Sequence, residues 1–221
     1  MVSYAFFDFD GTLISQDSFL ILLKESLKRQ PWRLLPLLLF SPILFFTGIF
    51  KLDKTLAKSL ILWSMTIFLG KLKAIQFLKN TLPEKYPQIW FQQALEHLEA
   101  LKKQNIEVVI VSASGQIWVR SYLKNKFQKN RLIIGSKLQF FCGGVILKSK
   151  NCYHEEKIKR IQALLGEDIL WHSAWSDHIA DLPMLKKASL RYIVCPKKSH
   201  LKIFQKELNN KFTLLNWTTW S

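Results

Sequence analysis

The stretch AFFDFDGTL, residues 5–13, places Asp8 and Asp10 one residue apart, directly after an apolar run and directly before a Gly-Thr pair. Tyr4–Phe7 predicts a brief buried strand, and Asp-Gly is a strong turn signal, so both carboxylates should lie where a strand becomes a loop. In open α/β sheets this carboxyl edge is where ligands bind. A helix N-cap is the simpler explanation, but capping needs one acid and not two.

Three more polar stretches follow predicted strands or open a predicted helix: residues 108–114, 151–157 and 174–185. Each residue also has an ordinary explanation: a helix cap for the serine and the acids, and a solvated helix position for the lysine. All of these ordinary explanations must hold at once if the chain has no catalytic site here. In chain order the candidates are Asp8, Asp10, Ser112, Lys157, Asp177 and Asp181.

This set resembles the four motifs of the haloacid dehalogenase (HAD) superfamily of phosphohydrolases. Those motifs are D-x-D-G-T, a strand-ending Ser or Thr, a Lys, and an acid pair near D-x-x-x-D. Residues 8–12, Ser112, Lys157 and residues 177–181 match them in order over most of the chain. The resemblance implies a phosphatase with a HAD-like Rossmannoid core, a Mg²⁺ cofactor and an aspartyl-phosphate intermediate.

A phosphate ester repels a carboxylate nucleophile, so attack requires a nearby cation such as Mg²⁺ held by oxygen ligands. Asp8 is the predicted nucleophile, and Asp8, Asp177 and the main-chain carbonyl of Asp10 are the predicted metal ligands. The Asp10 side chain should protonate the leaving group and later accept a proton from water.

The remaining candidates should bind the phosphoryl group or support the residues that do. Ser112 should donate to a phosphoryl oxygen, and Lys157 should neutralise charge on the nucleophile and the substrate. Asp181 is expected to orient Lys157 or a metal-bound water. His178 is a candidate substrate-side contact and stands where many relatives carry a small residue, and Ala180 replaces an Asn that often precedes the last acid. The predicted substrate-binding residues are Gly11, Ser112, Ala113, Ser114 and Lys157.

Composition limits the class of protein. The chain has 221 residues, 49% of them hydrophobic, which suffices for one α/β domain plus an insertion. A formal charge of +16 predicts attraction to polyanions, either nucleic acid or an anionic membrane. Three cysteines without metal-ligand spacing favour a reduced cytosolic compartment. The first residues lack the basic region of a secretory signal.

From about residue 88 onward, strands alternate with helices, which predicts a doubly wound parallel sheet of the α/β class. A β-hairpin around Cys142 to Gly144 interrupts this alternation. The predicted strands are Glu107–Val111, Leu132–Ile134, Ile169–Trp175, Arg191–Val194 and Phe212–Leu215, the hairpin strands are Lys137–Phe141 and Val145–Lys148, and the helices are Gln92–Gln104, Gln116–Lys126 and Glu155–Leu165.

Residues 15–90 interrupt the α/β pattern directly after the first motif, and their dense apolar residues predict several helices. Residues 1–14 and 91–221 would then form the HAD-like catalytic core. The arrangement resembles the cap of the subgroup, subfamily IB, that includes phosphoserine phosphatases. A helical cap of this kind excludes water and reads the leaving group of the substrate.

Two uncharged runs in this insertion, Leu34–Phe50 and Leu60–Gly70, raise the question of a membrane. Pro36 and Pro42 interrupt the first run, and a single span is impossible because sheet strands lie on both sides of the insertion in sequence. A re-entrant hairpin or interfacial helices are therefore predicted, with a soluble helical hairpin as the alternative. The insertion carries eleven Lys and Arg against four acids. The candidate headgroup anchors are Trp32, Trp63, Trp90, Trp217 and Trp220.

Four stretches resemble the phosphatidylglycerophosphatase C group of this superfamily: residues 16–19, 29–31, 62–63 and 152–157. The resemblance implies a phospholipid phosphomonoester, phosphatidylglycerophosphate, dephosphorylated at the cytoplasmic face of a bacterial inner membrane. The alternatives are a cytoplasmic phosphatase of a small metabolite such as phosphoserine, and a receiver-like phosphoaspartate signalling module. No nucleic-acid partner is expected. The exact substrate, the oligomeric state and the role of His178 stay open.

Overall fold

Six parallel strands form the central sheet of the computed structural model, which describes residues 2–49, 54–124 and 132–218. Their spatial order is β3-β2-β1-β6-β7-β8. β1 is therefore central, with β2 on one side and β6 on the other. The predicted α/β doubly wound parallel sheet is confirmed. The strands are β1 (Ser3–Phe7), β2 (Glu107–Gly115), β3 (Leu132–Ser136), β6 (Leu170–Ser176), β7 (Leu190–Val194) and β8 (Thr213–Leu215).

The sheet is buried on both faces, which explains why its central strand is apolar without alternation. Ala5 and Phe7 of β1 belong to one hydrophobic cluster, whereas Phe6 between them belongs to a second cluster on the opposite face. Helices cover both clusters. Those that follow residue 90 are α6 (Gln92–Lys103), α7 (Gln116–Lys124), α8 (Glu155–Leu165), α9 (Leu182–Lys187) and α10 (Lys198–Glu207).

β2 is longer than its sequence predicts, because it continues to Gly115 instead of ending at Val111. Pairing with β3 shifts register after Val111 and resumes where Gly115 lies opposite Ser136. Ser112 therefore lies within the strand and not after it, which corrects the predicted strand end. The predicted continuation of α7 to Lys126 lies outside the described residues.

The described part of the insertion contains α1 (Ser18–Arg29), α2 (Leu34–Leu39), α3 (Ser41–Ile49), α4 (Lys54–Thr66) and α5 (Lys71–Lys85), with a short 3₁₀ turn at Pro31–Arg33. Its two ends lie side by side. The Ser15 amide donates to the Ile89 carbonyl at 2.8 Å, and the Phe91 amide donates to the Leu13 carbonyl at 3.1 Å. The chain thus leaves the core and returns to it at one point.

The first apolar run forms two short helices, α2 and α3, that break at Phe40 between the two prolines. Within the described residues, no single helix has the length and apolar character to cross a bilayer, although the pair α4 and α5, bent by 105°, satisfies both criteria jointly. Phe50, at the end of the predicted run, lies outside the described residues.

The hairpin strands β4 (Leu138–Phe141) and β5 (Gly144–Leu147) form a separate two-stranded sheet that packs against α4. The Trp63 indole donates to the Cys142 carbonyl at 2.9 Å, and the Val145 amide donates to the Thr66 hydroxyl at 2.8 Å. These bonds fix α4 to the core. The hairpin was predicted at this place in the chain.

Two of the predicted tryptophan anchors are wrong. Trp90 is 1% exposed and stacks on Tyr122 with 5.1 Å between ring centroids. Trp217 is also buried and contacts Phe91 edge to face. Both side chains belong to the hydrophobic core, where their large rings bury more apolar area than they would at a membrane surface. Trp220 lies outside the described residues.

Candidate active site

Lys157 joins two acids at the carboxyl end of the sheet. It lies in the first turn of α8, is 2% exposed, and its Nζ lies 2.8 Å from Asp8 Oδ1 and 2.7 Å from Asp181 Oδ1. The Ser176 hydroxyl donates to Asp181 Oδ2 at 2.7 Å and so fixes this carboxylate from the end of β6. The ammonium group is thereby held beside the Asp8 side chain.

The charges in this cluster do not balance. Burial raises the pKa of Asp8 well above its ordinary value, Lys157 opposes the rise, and Asp181 and Asp177 add to it. Burial alone would lower the pKa of Lys157, but its two carboxylate partners outweigh that effect and raise it. Because one lysine faces the buried Asp8 and Asp181 and the half-buried Asp177, the cluster has room for additional positive charge.

The Asp10 carboxylate is held by groups from two different elements. The Ser18 amide, at the start of α1, donates to Oδ1 at 2.7 Å, and the Ser114 hydroxyl, near the end of β2, donates to Oδ2 at 2.5 Å. The Trp118 indole donates to the Ser18 hydroxyl at 3.1 Å and supports this arrangement. Burial raises the pKa of Asp10, with a further rise from Asp17.

Asp177 lies against the tight turn that follows Asp10. The Thr12 hydroxyl accepts a bond from the Asp177 amide at 3.1 Å and lies 3.4 Å from Asp177 Oδ1. Gly11 has a φ of +72°, and a Cβ placed on it would lie 2.5 Å from Asp177 Oδ2. Burial, followed by repulsion from Asp181, raises the pKa of Asp177 to about 7. The glycine is required both by its dihedral angle and by the closeness of this carboxylate.

Ser112 is fully buried in β2, where its hydroxyl accepts a bond from the Ser114 amide at 2.9 Å. The neighbouring Ala113 carbonyl accepts bonds from the Ser136 hydroxyl at 2.8 Å and from Lys58 Nζ at 2.7 Å. Ser112, Ala113 and Ser114 thus occupy the strand end beside Asp10. Ala113 is tied to β3 and to the insertion and Ser114 to the D-x-D loop, whereas Ser112 bonds within its own strand.

Lys58 is the residue near this site that sequence reasoning missed. It comes from α4 in the insertion, and its Nζ lies 4.9 Å from the centroid of the Phe19 ring. Burial lowers its pKa, and the nearby charges of Asp10 and Asp17 oppose that change. The only signal in the sequence is a lysine on a helix, which is also the pattern of an ordinary solvated lysine.

His178 serves the structure of the loop between Asp177 and Asp181. Its Nδ1 accepts a bond from the Ala180 amide at 3.0 Å and caps the 3₁₀ turn at Ile179–Asp181. Its ring meets the His200 ring edge to face at 4.6 Å. Burial and the neighbouring His200 lower the pKa of His178 to about 4. Asp181 itself makes no side-chain cap on α9, so the simple capping explanation does not account for it.

The donor groups present fit Mg²⁺. Asp8, Asp177 and the main-chain carbonyl of Asp10 are hard oxygen donors of the kind this ion prefers, and the buried acids outnumber the lysine beside them. The set contains only two carboxylates, and within the described ranges no group of three or more His, Cys, Asp or Glu side chains stands together as a metal site. Mg²⁺ would complete its coordination with water.

The model of the haloacid dehalogenase-like hydrolases matches residues 5–186, most of the chain. The chain belongs to this family. The match spans all four motifs, from Asp8 to Asp181. It excludes the receiver-like signalling module as an account of the chain.

One relative and two solved structures are similar to this chain over most of its length. Protein CicA of Caulobacter vibrioides is 28% identical over 197 residues, covering 81% of this chain and 80% of CicA. A Bordetella pertussis Tohama I protein of unknown function has a TM-score of 0.75 at 15% identity, covering 98% of this chain and 99% of its own. A phosphoserine phosphatase, solved as a phospho-aspartyl intermediate analogue, has a TM-score of 0.61 at 18% identity, covering 98% of this chain and 94% of its own.

At these identities the solved structures show a shared fold. The family match makes the chain a hydrolase, which confirms the prediction of an enzyme.

Proposed function

We propose that the chain is a Mg²⁺-dependent phosphomonoesterase that acts through a phosphorylated Asp8 and dephosphorylates a phospholipid precursor, phosphatidylglycerophosphate. The observation that carries the chemical part is the Lys157 ammonium, which is buried between Asp8 and Asp181 at 2.7 to 2.8 Å. A buried ion pair of this kind costs desolvation energy and is a poor device for stability alone. Its position at the strand ends favours a catalytic role.

In this proposal each side chain has one task. Asp8 attacks the phosphorus, and Lys157, held in place by Asp181, neutralises charge on the nucleophile and on the phosphoryl oxygens. Asp10 gives its proton to the leaving oxygen and then takes one from the attacking water. Its bonds to Ser18 and Ser114 hold the carboxyl group in one orientation for both transfers.

Phosphoryl oxygens need donors as well as charge. In the proposal, the Ser112 hydroxyl and the amides of Gly11 and Ala113 supply them at the ends of β1 and β2. The Ser114 amide is already bonded to the Ser112 hydroxyl and is not among them. When bound by Asp8, Asp177 and the Asp10 carbonyl, Mg²⁺ would offset the charge of the phosphoryl group.

The lipid part of the proposal is supported by the surface of the insertion. Helices α2 and α3 present large apolar side chains to solvent and bury few of their own. We propose that this surface lies on the cytoplasmic face of a bacterial inner membrane, peripherally or as a re-entrant segment, and that residues 15–90 act as the cap of the site. Their excess of basic residues suits an anionic surface. The exposed apolar side chains are Leu34, Leu35, Leu38, Leu39, Ile43, Phe45 and Phe46.

Lys58 supports a leaving group that carries negative charge. Its Nζ lies among the groups around Asp10, and no carboxylate within the described ranges forms an ion pair with it. A lysine at this place attracts the net negative charge of the phosphodiester in a phospholipid, whereas the serine part of phosphoserine pairs a carboxylate with an ammonium group and offers no net charge. Lys58→Gln should therefore lower the preference for phosphatidylglycerophosphate over O-phosphoserine.

The test is phosphate release from phosphatidylglycerophosphate in mixed micelles, from O-phosphoserine and from p-nitrophenyl phosphate, with and without Mg²⁺. Wild type should act only with Mg²⁺, and Asp8→Asn should lose at least about 10³-fold in kcat/KM. Asp168→Asn is the matched control, because Asp168 is an exposed aspartate on the core surface.

Two outcomes would contradict the proposal at different levels. An active Asp8→Asn variant would contradict the nucleophile and the mechanism. An active wild type that hydrolyses O-phosphoserine faster than the lipid would keep the mechanism and replace the substrate by a small soluble metabolite.

A further inference from the structure

A cavity of about 410 Å³ lies in the insertion between the end of α1 and the face of α5. None of its lining residues belongs to the catalytic cluster. Three cations line it, Arg29, Arg33 and Lys73, and Glu84 is its one acid among the described residues. The volume lies within the range of small-molecule sites. The cavity therefore has an excess of positive charge and room for more than a single ion.

Arg33 is a buried guanidinium with an unused hydrogen-bonding edge. The residue is 1% exposed, and its Nη1 donates to the Ser26 hydroxyl at 2.9 Å. Its Nε and Nη2 are buried and have no hydrogen-bond partner in the described part of the chain. These two nitrogens form the side of the guanidinium that binds carboxylate or phosphate in a bidentate manner. Buried donors without partners are rare, because each costs desolvation energy.

The charge of Arg33 is also uncompensated. Burial lowers its pKa, and the like charge of Arg29 lowers it further. The buried Glu25 of α1 does not pair with it, since the Glu25 carboxylate already binds Lys28, Lys85 and the Tyr86 hydroxyl. Among the described residues, no carboxylate forms an ion pair with Arg33. The guanidinium is thus built for an anion that the chain does not supply.

Neutral hydrogen-bonding groups of α5 complete the lining, namely the side chains of Gln76, Asn80 and Thr81. Three large apolar residues are sequence neighbours of residues that line the cavity. Phe68 and Leu72, on either side of the lining residue Leu69, are 79% and 77% exposed. Trp32, next to Arg33, is 39% exposed, and its ring centroid lies 5.7 Å from that of Phe68.

We propose that this cavity binds a phosphate group at a second site, distinct from the catalytic one, with the Nε and Nη2 edge of Arg33 as its main donor. Arg29 and Lys73 add charge, and the amide and hydroxyl groups of α5 take the remaining oxygens. The phosphate group belongs either to a phospholipid headgroup or to a free phosphate ion. The bordering aromatic and aliphatic side chains favour the lipid, because they would rest at the bilayer interface around its headgroup. The site goes beyond the proposed catalytic function and does not depend on it.

The experiment compares Arg33→Met, which keeps the length and apolar stem, with Arg120→Met as a matched control. Arg120 is exposed on α7, outside the cavity. Arg33→Lys serves as a second variant, since it keeps the charge and loses the bidentate edge. All proteins must first show cooperative thermal unfolding, and if Arg33→Met fails this check, Arg33→Lys carries the comparison.

The first arm measures the Tm with increasing inorganic phosphate, without Mg²⁺ and at constant ionic strength. Phosphate at about 100 times its Kd should raise the Tm of wild type and of Arg120→Met by about 5 °C more than that of the Arg33 variants. Phosphate bound at the catalytic site contributes equally to all of them and cancels.

The second arm measures sedimentation with phosphatidylcholine vesicles that contain or lack phosphatidylglycerol. Arg33→Met should weaken binding to the anionic vesicles about ten-fold more than Arg120→Met does. A difference in both arms, or in the vesicle arm alone, assigns the site to a lipid headgroup. A difference in the phosphate arm alone assigns it to free phosphate. If the Arg33 variants match Arg120→Met in both arms, the second site does not exist.

Discussion

Replacing Gly11 by alanine tests whether the turn after Asp10 exists to make room for Asp177. Two costs can be separated. The first is backbone strain, because a φ of +72° costs a residue with a Cβ about 1 to 2 kcal/mol. The second is a clash, because the new Cβ would lie 2.5 Å from Asp177 Oδ2 and 2.6 Å from its Cγ. Since real Cβ atoms do not approach so closely, the carboxylate must move by about 1 Å.

Gly143→Ala is the matched control for the strain. Gly143 lies in the hairpin turn with a φ of +80°, and nothing lies within 4 Å of the Cβ that alanine would add. Both variants should lose about 1 to 2 kcal/mol to backbone strain in urea unfolding, and Gly11→Ala should lose more because of the clash. Only Gly11→Ala should lose activity, by about 10²-fold in kcat/KM, because a displacement of about 1 Å in a positioned group has that effect. It should also need more Mg²⁺ for half-maximal rate.

The assay is hydrolysis of p-nitrophenyl phosphate over a range of Mg²⁺ concentrations, alongside urea unfolding of both variants. Equal activity in Gly11→Ala and Gly143→Ala would show that Asp177 takes no part in the reaction or that its position does not matter. An equal loss of activity in both variants would mean that backbone strain alone, by lowering stability, explains the lower activity. Either result would refute the reasoning from the clash.

Three further predictions concern charge. Lys157→Met should abolish activity and lower the free energy of unfolding by about 3 kcal/mol, because Asp8 would lose its buried partner. Phosphate release and urea unfolding measure the two effects. Lys159→Met, at an exposed position of the same helix, should change neither. Chelation with EDTA should stop phosphate release, and adding Mg²⁺ in excess should restore it; activity that survives chelation would argue against the metal. Glu25→Gln should lower stability at neutral pH by about 2 kcal/mol, since hydrogen bonds from Lys85 lower the pKa of this buried carboxyl from 4.5 to about 2. Because the folded-state pKa is the depressed one, the difference in urea midpoint between wild type and this variant should be full above about pH 5 and vanish as the pH falls through 2.

The sheet was predictable because its strands carry signals that are local in sequence. Tyr4–Phe7 is apolar at every position, as a central strand buried on both faces must be, and the Asp-Gly pair ends it. The hairpin is predicted from the same kind of signal, namely Cys142, Gly143 and Gly144 between two apolar runs. In the structure, Cys142 and Gly143 both have a positive φ, as such a turn requires. The end of β2 was not predictable, because Ser112 and Ser114 are residue types that favour loops, and the bond between them within the strand has no signal in the sequence.

Some residues of the candidate site were likewise predictable from the sequence, and others were not. Asp8, Asp10 and Lys157 were found because their types and order match a known chemical pattern. Lys58 was not, because its proximity to the site depends on how α4 packs against the hairpin, and no local pattern encodes that contact. The edge of Arg33 escaped notice for a related reason. A basic residue beside tryptophan suggests the surface, and only the packing of α1 and α5 buries it.

The adjacent stems of the insertion, where Ser15 meets Ile89 and Leu13 meets Phe91, give the chain a modular design. Because the insertion leaves the core and returns to it at one point, its length does not alter the distance between the strands that precede and follow it. A segment of different size could therefore replace it, provided that the replacement keeps the bonds that Ser18 makes to Asp10 and Lys58 makes to Ala113. A grafted protein that carries a foreign helical segment between these stems would preserve the sheet and change what is admitted to the site.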